Sequence, residues 1–187
     1  KKHAQEYWDN LQGGKYLHAS GEYPQDEGGK GLLLFGEEED ASMIAASMIA
    51  KMVSDPASEV RSIISKKPAP DHYRSKFVSY PMEQRAQIYT ADDLAERSRD
   101  GFDDAEMRKE YRSLFPASTY AEYPTPFLLC VLDLEVMPFT EWNKKSLLSL
   151  LKARRDYTEP VIVTTTLALD EIARSCGSKL GNFLVDE

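Results

Sequence analysis

The sequence predicts an α/β fold built on a parallel sheet, and three apolar runs carry that prediction. Gly31-Leu32-Leu33-Leu34-Phe35-Gly36, Phe127 to Leu132 and Pro160 to Thr165 are short, apolar on successive residues, and closed by Gly, Asp or Thr. Such a run suits a strand buried on both faces, the setting of parallel sheets. Helical stretches separate the runs, and strands alternating with helices define a layered α/β architecture.

Residues 1–12 carry Tyr7, Trp8 and Leu11 at helix-like spacing before Gly13 and Gly14 stop the pattern. Residues 20–29 are acidic and turn-rich, so 1–29 reads as a helix and loop leading into one domain over 30–187. The run from Gly31 to Gly36 is expected to be a central strand. A helix from about Ala41 to Val53 follows, with Ala-Ser-Met-Ile-Ala repeated outright in its first stretch. Its Met43, Met48 and Met52 read as core filler. Pro56, Pro68, Pro70 and Pro81 break up residues 54–82, where a helix fragment near 58–65 and then a loop are expected. Ala86 to Tyr89 is a second strand, and Thr90 caps a helix that opens with Asp92 and Asp93. The charged segment 97–114 is helical, and 116–126 is a loop. An amphipathic helix over 140–155 offers Trp142, Leu147, Leu148, Leu150 and Leu151 for burial. A short helix from Leu169 to Cys176 ends at Gly177.

At 187 residues the chain is long enough for one sizeable core. A net charge of −8 argues against a broadly basic nucleic-acid surface. It leaves room for a local basic strip of Lys144, Lys145, Lys152, Arg154 and Arg155. Cys130 sits inside an apolar run and reads as a reduced core thiol, which points to the cytoplasm. No run reaches the ~18 apolar residues of a membrane span, and no signal peptide opens the chain. Lys1 in place of an initiator Met suggests a fragment or a processed chain. His3, His18 and His72 share no ligand spacing with Cys130 or Cys176, so no metal site is expected. Neither cysteine has the surroundings of a nucleophile.

The acidic run Glu37-Glu38-Glu39-Asp40 has two readings. On composition alone it is a helix start, because the N-terminal end of a helix dipole favours negative charge. Its position between an apolar strand and a helix gives it a second meaning. Gly31 to Val53 resembles the strand, phosphate loop and helix of a P-loop ATPase, and Phe127 to Glu135 resembles a Walker B strand. Thr164-Thr165-Thr166-Leu167-Ala168-Leu169-Asp170-Glu171 resembles the sensor-1 segment of bacterial AAA+ helicase loaders (DnaC/DnaI type) and the related IstB transposition helpers. Tyr89 to Leu94 and Thr140-Glu141-Trp142 resemble further pieces of that group in the same order.

The resemblance implies an AAA+ (P-loop NTPase-like) three-layer fold over 30–187, with the last strand and the sensor-2 region lying beyond residue 187. It also exposes departures. A Walker A loop needs glycines to wrap phosphate oxygens, a Lys for the β- and γ-phosphates and a hydroxyl for magnesium. Here Gly36 keeps the first glycine, Glu39 and Ala41 stand at later glycines, Ser42 replaces the lysine, and Met43 replaces the hydroxyl. Gly36, Glu37, Glu38, Glu39, Asp40, Ala41, Ser42 and Met43 thus form a degenerate phosphate loop. Like charges 4 Å apart repel by about 4 kcal/mol at an effective dielectric of 20. Asp133 keeps the metal-facing Walker B acid, but Leu134 takes the place of the second. Glu135, one residue on, is expected to face the opposite side of the strand. Thr166 replaces the sensor asparagine, and Lys179 and Phe183 stand at arginine positions.

The resemblance with these losses implies a non-catalytic AAA+-like interaction subunit in DNA replication, recombination or repair. It would bind a helicase, a loader or a polymerase-associated protein, without cofactor, metal, membrane or small-molecule substrate. The alternative is a nucleotide-dependent loader or transposition helper in which Ser42 and Asp133 hold a metal nucleotide in a non-standard way. Lys144, Lys152, Arg154 and Arg155 are candidate contacts to a partner or, more weakly, to DNA.

Overall fold

The computed structural model describes residues 31–36, 38–54, 61–63, 77–79, 86–100, 103–116, 126, 128–156 and 159–186. The expected helix over 1–12, the loop over 20–29, Glu37 and the three histidines lie outside them. The described elements are strand β1 (Leu32–Phe35), helix α1 (Glu38–Ser54), strands β2 (Arg61–Ile63), β3 (Phe77–Ser79) and β4 (Ala86–Thr90), and helices α2 (Ala91–Asp100) and α3 (Ala105–Ser113). They continue with strand β5 (Leu128–Leu132), a 3-10 turn (Leu134–Val136), helix α4 (Glu141–Asp156), strand β6 (Val161–Thr165) and helix α5 (Leu169–Asp186).

Four strands form one parallel sheet in the order β1-β6-β5-β4. Burial follows position in that order. The apolar runs of β5 and β6 are buried along almost their whole length, while β1 and β4 are only partly covered. The expectation of a central β1 is corrected here. Among the described residues β1 pairs only with β6, and Phe35 is exposed. Its apolar sequence reflects cover on its faces, which does not distinguish a central strand from an outer one.

Side chains alternate across the sheet with period two. Leu129, Val131, Val161 and Val163 join Leu94, Leu147, Leu150, Leu151, Ile172 and Leu180 in one core beneath α2, α4 and α5. Leu128, Cys130 and Ile162 are equally buried but lie outside that cluster, and α1 packs on β6 and β1 with Ala41, Ala45, Met48 and Ile49 buried. Helices therefore cover both faces of the sheet. Burial pushes the Cys130 thiol up to about 12, as suits an inert core cysteine.

Several expected elements shift. Helix α1 begins at Glu38, three residues before the expected Ala41. Met48 fills the core as expected, whereas Met43 is exposed. Residues 61–63 and 77–79 pair as an antiparallel two-stranded sheet where a helix fragment and loop were expected. Trp142 is exposed, although its neighbours Leu147, Leu150 and Leu151 are buried. Thr90 caps α2 as expected: its hydroxyl accepts from Asp93 N at 3.1 Å, and the Asp93 carboxylate accepts from Thr90 N at 3.4 Å.

Gly177 interrupts α5 with φ 74 and ψ 163, where only a residue without Cβ fits easily. Past this break, a Cβ on Gly181 would lie 2.8 Å from Ala173 Cα and 3.3 Å from the Ile172 carbonyl oxygen. Both obstacles are backbone, so the two parts of α5 must separate to admit a side chain. Gly181→Val is expected to cost about 1–3 kcal/mol in urea denaturation. An unchanged midpoint would show that the close approach is not maintained in solution.

Candidate functional site

The carboxyl ends of parallel strands are where open α/β sheets gather ligand-binding groups. In this chain Gly36, Asp133 and Thr166 each follow the last residue of a strand. Gly36 leaves β1 with φ 152, a backbone that L side chains rarely adopt, and its N–H donates to the Thr165 carbonyl at 3.1 Å. That bond extends the β1–β6 pairing by one residue. Only positions 36 and 37 lie between the end of β1 and the start of α1. Glu38, Glu39, Asp40, Ala41, Ser42 and Met43 are helical, in the first turns of α1.

Asp133 occupies the left-handed region, with φ 55 and ψ 61, immediately after β5. This costs of order 1–3 kcal/mol in a non-glycine residue and needs local support. Two contacts supply it. The Asp133 N–H donates to Thr164 Oγ1 at 3.0 Å, and Ser42 Oγ donates to Asp133 Oδ1 at 3.2 Å. Ser42, placed at the lysine position by sequence, is thus a neutral donor to Asp133. Met43 points into solvent.

The turn that follows corrects the expected direction of Glu135. Strand β5 ends at Leu132, and residues 134–136 form a 3-10 turn, so strand alternation no longer governs them. Leu134 takes the buried position. The Glu135 carboxylate reaches over the sheet edge to β6, accepting from Thr165 Oγ1 at 2.7 Å and from Thr166 N at 3.1 Å. Partial burial pushes its pKa upward, but the bonds from Thr165 and Thr166 outweigh burial and hold it below the usual carboxylate range. Thr164 and Thr165 were absent from the sequence-derived site. Their signal was present: two hydroxyls close a buried apolar strand at the edge where Asp133 emerges.

The basic strip divides. Lys144 is largely covered and pairs with Glu141 at 2.5 Å, while Lys152 is exposed. Arg155 is half-buried, lies 5.1 Å over the Phe183 ring and pairs with Asp156 at 3.3 Å. Arg154 does not belong to a surface strip at all. It is fully buried and bonded to backbone carbonyls at the opposite end of the sheet. Among the described residues no group of three or more His, Cys, Asp or Glu converges as a metal site. No described helix is long and apolar enough to cross a membrane.

No protein-family model matches the chain, and no curated protein matches it by sequence. Solved structures do match by fold. One is a DNA replication initiation factor, with a TM-score of 0.61 and 9% identity; the match covers 99% of this chain and 42% of that one. Another is the AMPPCP-bound DnaA of Aquifex aeolicus, with a TM-score of 0.58 and 7% identity, covering 99% and 43%. The chain therefore spans less than half the length of either protein. Its fold is the α/β parallel-sheet fold of the AAA+ P-loop NTPases, as seen in these replication initiators.

Proposed function

We propose that this chain is a non-catalytic AAA+-like subunit of the DNA replication machinery, working by contact with a protein partner. The direct passage from β1 into α1 carries this reading. A triphosphate is held by a glycine-rich loop whose successive N–H groups surround its oxygens, completed by a lysine. Between Phe35 and Glu38 there are two positions, of which one is an acid, and the first turn of α1 adds three more acids. Each carboxylate set about 4 Å from a phosphate oxygen opposes binding by about 4 kcal/mol at an effective dielectric of 20. Micromolar binding amounts to only about 8 kcal/mol.

The remaining stations support the same reading. Asp133 is engaged by Ser42 and Thr164, and Glu135 by Thr165 and Thr166. These bonds tie α1, β5 and β6 together at the place where a nucleotide enzyme keeps its acids open to metal and water. We infer that the pocket has become a clasp that holds the AAA+ shape for docking. The replication role is a proposal supported by the names of the fold neighbours, which are initiation proteins; a helicase, a loader or a polymerase-associated factor is the proposed class of partner.

Calorimetry with ATP and magnesium tests the proposal. No saturable heat is expected up to millimolar nucleotide. Micromolar binding that disappears in Asp133→Ala would establish the competing reading, in which Ser42 and Asp133 hold a metal nucleotide in a non-standard way.

A further inference from the structure

Among the described residues seven large apolar side chains are exposed, and four of them, Phe35, Met43, Val136 and Leu169, belong to one end of the sheet. Single exposed apolar side chains are ordinary, so it is their gathering that carries meaning. Each stands within three residues of a group in the hydrogen-bonded set at the carboxyl ends of the strands. Phe35 is in register with Thr165, and the next N–H, from Gly36, donates to the Thr165 carbonyl at 3.1 Å. Val136 follows Glu135, whose carboxylate accepts from Thr165 and Thr166, and Leu169 opens α5 three residues beyond Thr166. Met43 follows Ser42, the donor to Asp133. Trp142 marks the margin of this region, where Lys144, Lys145 and Lys179 lie near Glu141.

We propose that this end of the sheet docks a segment of a protein partner in which lysines or arginines alternate with apolar side chains. The partner's apolar groups would cover Phe35, Met43, Val136 and Leu169, and its cations would meet Asp133 and Glu135. This deepens the reading of the chain as a partner-binding subunit and rests on it. Charge selects the occupant. Asp40, Asp133, Glu135, Asp170 and Glu171 lie among or beside the four apolar side chains, and Arg174 pairs with only one of them, Asp170. Asp133 and Glu135 are half-exposed, and the donors they accept from are hydroxyls and an N–H, which leave their negative charge in place. An apolar patch set among acids favours a partner of opposite charge, because complementary potentials steer the encounter and like charges oppose it. Nucleic acid would bring phosphates to these carboxylates. A second copy of the chain, with its net charge of −8, would bring more acids.

The test is amide NMR on the intact chain, titrated with a peptide of leucine and lysine at amphipathic helical spacing. Two control peptides replace its lysines by glutamate or its leucines by serine. The Leu-Lys peptide is expected to shift the amides of Phe35, Met43, Val136 and Leu169 saturably, with a micromolar Kd. The glutamate peptide should not bind, and the serine peptide should bind at least about tenfold more weakly. The double variant Val136→Lys, Leu169→Lys should lose about tenfold or more in affinity. Ile88→Lys and Glu106→Lys, exposed positions away from this end, should leave it unchanged. Absence of saturable shifts, shifts spread evenly over the acidic surface, or equal loss in the control variants overturns the proposal. So does glutamate-peptide binding, or concentration-dependent shifts of the same amides without peptide, which would identify a second copy as the occupant. Duplex DNA shifting those amides would likewise overturn it. The peptide comparisons use the unaltered chain and decide the matter even if a variant misfolds. Calorimetry with ATP separates the two readings. A chain with neither nucleotide heat nor peptide shifts loses this docking surface and keeps its non-catalytic reading; nucleotide heat together with peptide shifts does the reverse.

Discussion

Arg154→Ala is expected to destabilise the fold by about 3–5 kcal/mol at pH 8, the cost of leaving a buried charged group's partners without it. Arg154 is fully buried, and its guanidinium joins three separate places in the chain. Nη1 donates to the Leu114 carbonyl at 3.0 Å, just past α3. Nη2 donates to the Pro126 carbonyl at 2.9 Å, ahead of β5, and to that of Pro160 at 3.4 Å, ahead of β6. Glu159 completes the ring of partners. A planar fork can reach several carbonyls at once, whereas an ammonium cannot, so Arg154→Lys should recover little of the loss. With total stabilities of about 5–15 kcal/mol, such a loss removes a large share of the folding free energy. Denaturation in urea, followed by circular dichroism, measures it. A loss below about 1 kcal/mol would mean that water replaces the guanidinium and that the loops need no such tie.

Arg154 also shows what in this fold was legible beforehand. In isolation, Arg154-Arg155 near the end of α4 looks like surface charge set against the helix dipole. Yet Leu147, Leu150, Leu151 and Arg154 recur at helical spacing, and that stripe is the buried face. The periodicity held the information; the residue type disguised it. The apolar strands were legible for the opposite reason, since β5 and β6 are buried on both faces and nothing in their composition competes. Sheet order was not legible, because β1 carries the same kind of run at an outer position among the described strands. At the candidate site, Asp133 and Thr166 could be read from their places at strand ends. The direction of Glu135 could not, because it depends on a 3-10 turn and on the donors that Thr165 and Thr166 present at the end of a neighbouring strand. The start of α1 lay beyond reach for a related reason: the same acids suit a helix end and spoil a phosphate loop.

Stability should fall as pH rises from 5 to 8, by an amount on the order of 3 kcal/mol, and Glu159→Gln should remove that fall. Burial raises the Glu159 carboxyl from 4.5 to about 7, and the charge of Arg154 only partly offsets it. Arg154 is partly neutralised by the carbonyls it bonds, which weakens its hold on the carboxylate. A group whose folded pKa lies above its unfolded value gives its full stabilisation below the unfolded pKa. Here that contribution is complete below about 4.5 and is lost as pH climbs through about 7. Glu135 works in the other direction: its folded pKa is lowered, so its contribution is present above 4.5 and disappears only on further acidification. The interval from pH 5 to 8 therefore separates the two carboxyls. The raised thiols and phenols of Cys130, Cys176, Tyr89 and Tyr111 stay protonated across it, at about 11 to 12. Any other group that titrates in this interval does so in both the parent and the variant. The difference between the two denaturation series consequently isolates Glu159, and it should widen with pH in favour of the glutamine chain. Parallel series from pH 5 to 8 would show that the carboxyl titrates as freely folded as it does unfolded, and that water reaches it.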